Sequence, residues 1–173
     1  MSSARAVRVL AALALLALAA AQGAGSGDED PAQGAVSASL RMHAKAGYLP
    51  EVNDALAAGA EVDGRDAVSG KTALMLAAEG GHEEVADVLL MHANADKDLQ
   101  VPGNAKADAF FSALMLAAQH DHVEMVQLLM HHGVDATLVN AATPPLNAAA
   151  LATGVRGDLI KAAIAGSSDE KEL

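Results

Sequence analysis

Apolar and polar positions follow the same pattern twice along the chain. Thr72 to Leu90 reads TALMLAAEGGHEEVADVLL, and forty residues later Ser112 to Met130 reads SALMLAAQHDHVEMVQLLM. In the earlier copy Leu74 and Leu76 to Ala78 make a short apolar helix, Gly80-Gly81-His82 turn the chain, and Val85, Val88 and Leu89 mark one face of a second helix. The pattern predicts helix hairpins with a tight glycine turn. A unit this small buries its apolar face against neighbouring copies and not within itself, so the chain reads as a repeat array.

The stretch GKTALMLAAEGGHEEVADVLL resembles the ankyrin repeat, whose pattern runs G-x-T-P-L-H-x-A-A-x-x-G-H and then an apolar helix ending near G-A-D-V-N. The resemblance covers residues 36–166, with a period near the roughly 33 residues of that family. It implies an all-α solenoid of about four repeats, each a helix-turn-helix with a hairpin finger, with degenerate terminal repeats. It also implies a concave surface of fingers and first helices, with the second helices on the convex back. Leading leucines place the copies at Leu40, Leu74, Leu114 and Leu146. The resulting repeats are 36–69, 70–109, 110–142 and 143–168, followed by a charged tail at 169–173.

The copies depart from the family pattern in informative ways. Met75 and Met115 stand where the family has His, and Ala73 and Ala113 where it has Pro. Thr72 and Ser112 keep a hydroxyl able to cap the helix start. The first copy ends family-like in Gly59-Ala60-Glu61-Val62-Asp63, and its Arg41, His43 and Lys45 are polar where inner copies carry Met, Ala or Glu, as expected of an outer face meeting water. The fourth opens with Pro144-Pro145-Leu146, and its turn is about two residues longer than usual.

The forty-residue spacing puts about seven extra residues into the finger from Asp96 to Phe111, with Pro102-Gly103-Asn104 as a turn at its tip. Insertions in a solenoid fall on one face, often the binding face. Phe110 and Phe111 end this finger and, with Tyr48, are the only aromatics of the chain. Either they anchor a partner or one of them closes the loop against the helix pair.

Ahead of the repeats, Arg5 and Arg8 precede an apolar run from Val9 to Ala21, and Ala19-Ala20-Ala21 offers a small-x-small cleavage site before Gln22. Residues 1–21 are expected to be a signal peptide, since the run is short for a membrane span; an uncleaved anchor is the alternative. Residues 22–35, rich in glycine and acid, read as a flexible linker. Asp28, Glu29 and Asp30 argue against an organelle transit peptide. The C-terminal Glu170-Lys171-Glu172-Leu173 shares only its last two residues with a luminal retention signal.

The net charge of -11 opposes a phosphate backbone and excludes nucleic acid as the expected partner. It gives a slight preference for a basic protein partner. With no cysteine there is no disulfide framework or thiolate metal site. His120-Asp121-His122 and His131-His132 suggest zinc ligands, but register assigns His122 to the turn that His82 makes and His132 to the end of a second helix. No nucleophile motif or phosphate loop is present, and Glu83 and Glu84 read as helix-start residues.

The expected protein is therefore non-catalytic, without cofactor or metal, and monomeric. It enters the secretory pathway, to be secreted or kept in the endoplasmic-reticulum lumen, and binds a protein on its concave face and fingers. A membrane-tethered scaffold and a His-based metal binder are the alternatives. Register puts Lys45, Lys71, Glu79, Phe111, Gln119 and His120 on the binding surface.

Overall fold

The structure, a computed structural model, describes residues 31–101, 111–140 and 146–169. The proposed signal peptide, most of the linker, the finger tip at Pro102-Gly103-Asn104, Phe110, Pro144-Pro145 and the last four residues lie outside the described residues.

The described residues form four helix pairs: α1 (Pro31–Ala46) with α2 (Leu49–Ala57), α3 (Ala73–Gly80) with α4 (Glu83–Met91), α5 (Ala113–Gln119) with α6 (Val123–His131), and α7 (Ala148–Leu151) with α8 (Gly157–Asp169). First helices stack in the order α1, α3, α5, α7, and second helices in the order α2, α4, α6, α8. Among the described residues no strand forms; Val101 with Phe111 and Val139 with Asn147 make single antiparallel bridges at the bases of two fingers. The fold is an all-α repeat solenoid.

Local chemistry sets where each helix begins and ends. Thr72 and Ser112, both in extended backbone, accept the N–H of Met75 and Met115 on their hydroxyl oxygens, which satisfies a donor otherwise unpaired at a helix start. Gly81 ends α3 at φ +70, a left-handed conformation in which glycine avoids the Cβ penalty. Between these signals, Ala73 to Ala78 and Ala113 to Ala118 are buried without interruption, because a middle helix packs on both neighbours. Leu40, Leu74, Leu89, Leu114, Met125, Leu129 and Ile160 are the larger members of the continuous core.

Two boundaries differ from the sequence reading. Helix α1 already includes Pro31, so residues 31–35 of the expected linker belong to the first repeat. In the fourth repeat Leu146 is not the leading leucine. Asn147 is the cap, accepting the N–H of Ala150, and so corresponds to Thr72 and Ser112. Leu146 therefore precedes the cap, as Lys71 and Phe111 do. Helix α7 has only four residues, and five residues separate it from α8 where two separate α3 from α4.

Candidate binding surface

Adjacent repeats are tied at their turns by imidazole rings. His82 Nε2 lies 3.0 Å from the carbonyl oxygen of Lys45, and His122 Nε2 lies 2.9 Å from that of Glu79. Each ring occupies space beside the glycine of the preceding turn: a Cβ built on Gly47 would lie 2.5 Å from His82 Nδ1. The third turn departs from this scheme. Asp121 takes the left-handed glycine position at φ 65, and its carboxylate accepts the N–H of Arg156 at 3.0 and 3.1 Å. The Arg156 guanidinium in turn donates to Glu124, one bond being 3.1 Å. That side-chain hydrogen bond, with the positive charge behind it, holds the Glu124 carboxyl below its ordinary pKa.

The fingers have a ladder of their own. Asp63 accepts the N–H of Asp96 at 3.0 Å, and Asp98 accepts that of Asp135 at 2.7 Å, so a carboxylate in one finger fixes the backbone of the next. Lys97 donates to the carbonyl of His132 at 2.9 Å, and His132 Nε2 lies 3.0 Å from Asp87. Asp63, Asp96, Lys97, Asp98 and His132 line a polar cavity of about 490 Å³. In the first finger, burial alone would raise the Asp66 carboxyl. Hydrogen bonds from the N–H and hydroxyl of Ser69 and the N–H of Val68, with the charge of Arg41, outweigh it and hold the pKa below its ordinary value.

The six residues assigned from register fall into three situations. Lys45, Glu79 and Gln119 share one register position, two residues before Gly47, Gly81 and Asp121, and so form a row at the ends of α1, α3 and α5. Lys45, Gln119 and His120 are exposed there, His120 holding its ring by Nδ1 at 3.0 Å from the Leu116 carbonyl oxygen. Lys71 and Glu79 are half-buried and pair with each other at 3.0 Å, so the two present a neutralised couple and not two free charges. Phe111 does not belong to the surface. It is 7% exposed and bridges Val101, closing the long finger against the helix pairs, because an apolar ring next to a capped helix start is better buried than presented to water.

The histidine pairs are likewise engaged elsewhere. His122 and His132 reach Glu79 and Asp87 in the neighbouring repeat, and among the described residues no group of three or more His, Asp or Glu side chains is placed to hold a metal ion. The turn ties and the finger ladder were not recognised from sequence. The repeated His at the turn was the available signal, but its acceptor is a backbone carbonyl, which every residue carries. Among the described residues no helix is long and apolar enough to cross a membrane.

Comparison with curated proteins finds no match. The family model for ankyrin repeats, in three copies, matches residues 40–140, from α1 through the third finger. That span is more than half of the chain and coincides with the capped helix pairs and their fingers; the protein belongs to the ankyrin repeat family.

Proposed function

We propose that the chain is a non-catalytic interaction module of the secretory pathway that binds a basic segment of a protein partner along its fingers and first-helix ends. Ankyrin repeats indicate a protein–protein interaction module; the face, the charge of the partner and the compartment are the proposal. The observation that carries it is the ladder of Asp63, Asp96, Asp98 and Asp135 across the fingers, with Lys45, Gln119 and His120 exposed at the ends of the first helices. Carboxylates that already accept backbone N–H groups still have lone pairs for a partner's Lys or Arg, and fixed acceptors cost little ordering on binding. The secretory address rests on the Arg5 and Arg8 flank, the Val9–Ala21 run and the small residues before Gln22.

Two measurements test this reading. Cross-linking capture from secretory-pathway lumen should lose its main partner when Gln119 and His120 are changed together to Lys, which sets positive charge against a basic segment, with the melting temperature moving by only a few degrees. Retained capture, or capture lost together with the fold, rejects the face. The mass of the mature N-terminus decides the address: a chain starting near Gln22 supports it, and one that keeps residues 1–21 favours the membrane-tethered scaffold.

A further inference from the structure

Register shows which residues a repeat uses to pack on the copy before it. Counting from the turn glycines, Met42 in α1 corresponds to Leu76 in α3 and Leu116 in α5. Stacking leaves Leu76 8% and Leu116 4% exposed, whereas Met42 is 54% exposed. Ala38 and Ala46 lie one helical turn to either side of Met42 and are also exposed, so α1 presents an apolar stripe away from α3. Arg41 and His43, expected with Lys45 to make this outer face polar, do not cover the stripe: Arg41 turns to the Gly64 finger and His43 to Ser39. Tyr48 takes the register position of His82 and His122, the residues that tie each copy to the one before, and is 58% exposed.

The other end of the stack is open in a matching way. Leu159, three residues after the Arg156 that opens α8, corresponds to Val85 and Met125, which inner copies bury; it is 57% exposed. Ala150, three residues after the Asn147 cap, corresponds to Met75 and Met115, also buried in inner copies; it is exposed and carries a shorter side chain. A terminal repeat that ends an array carries a polar outer face. Here an exposed methionine and tyrosine stand at one end, and an exposed leucine and alanine at the other.

We propose that a second copy of this chain stacks head to tail on the first, with the Ala38–Met42–Ala46 stripe of one chain against Ala150 and Leu159 of the next. The contact continues the stacking that already joins α1 to α3 and α3 to α5. Because the two surfaces differ, the contact is heterologous, and it propagates into open stacks or closes into a ring where a symmetric dimer would stop at two. This departs from the monomer expected from the sequence.

Sedimentation velocity on the full chain, with Met42→Glu and Leu159→Glu as separate variants, tests the proposal. The wild type is expected to sediment as multiples of one chain, growing with concentration. Each variant alone is expected as a single chain, because each lacks one of the two faces. An equimolar mixture of the two variants should form heterodimers and nothing larger, since the Leu159 face of the first meets the Met42 face of the second. All three carry the same N-terminal segment, so association through that segment survives every substitution and overturns the proposal. A wild type that stays single, or a mixture without heterodimers, also overturns it. Ala38→Glu and Ala162→Glu, at exposed positions of the same two faces, report in the same way if either first variant melts early.

Discussion

The imidazole of His122 stands where a side chain on Gly81 would have to go: a Cβ there would lie 2.7 Å from His122 Nδ1, while Nε2 of the same ring reaches the Glu79 carbonyl at 2.9 Å. Gly81 must be glycine for two independent reasons, its φ of +70 and the ring behind it. Gly81→Ala is expected to cost about 2 kcal/mol or more, combining left-handed strain with displacement of the ring. His122→Ala leaves the Glu79 carbonyl without its tie and is expected to cost about 1–2 kcal/mol. Urea unfolding of the double variant should show less than the sum, since both substitutions disturb the same contact.

The hydroxyl caps of the two middle repeats should be worth similar amounts. Thr72→Ala and Ser112→Ala each remove the acceptor for a buried N–H, of Met75 and Met115 respectively. A loss of about 1 kcal/mol each is expected from chemical denaturation. Thr72→Ser should recover most of it, because the oxygen is retained.

Phe111 gives a test that separates packing from binding. Its ring is buried, so Phe111→Ala should cost about 3 kcal/mol, and Phe111→Leu appreciably less. A thermal melt that does not move with Phe111→Ala would return the residue to the surface, where it was expected from sequence.

Acid should weaken the fold through two identified carboxylates. Asp66 and Glu124 both have folded pKa values lowered from 3.8 and 4.5. A group lowered on folding contributes stability that is present above its unfolded pKa and is lost as pH falls through its folded pKa. The decline in urea midpoint below the ordinary carboxylate range should therefore be shallower in Asp66→Asn and in Glu124→Gln than in the wild type. Glu124 is exposed and Asp66 only half-buried, so the effect is expected to be small and to shrink further in salt for Glu124, whose partner is the charged Arg156.

The middle of the array was legible because three local signals agree there: a hydroxyl cap, an apolar period of helical length and a histidine at the turn. The ends were not, because there the signals separate. Leu146 precedes the cap of its helix, and Asn147, an equally good cap, is what fixes the register. At the third turn an aspartate replaces glycine and supplies by its side chain what the next repeat lacks in histidine. The candidate surface was legible only as a row of positions. That Lys71 and Glu79 neutralise each other, and that Phe111 turns inward, depends on side-chain partners that one-dimensional register does not specify.

The substitution at Asp121 has a consequence for how this array could have grown. Repeat proteins lengthen by duplicating a unit in tandem, which works when every junction accepts the same incoming turn. The junctions at Gly47 and Gly81 accept a histidine ring; the one at Asp121 accepts a bare N–H and fills the remaining space with its own carboxylate. A duplicate of the second unit inserted after the third would drive its ring into that carboxylate. Lengthening the array after its third unit therefore has to begin by restoring glycine at Asp121, whereas the junctions at Gly47 and Gly81 can take a further unit as they stand.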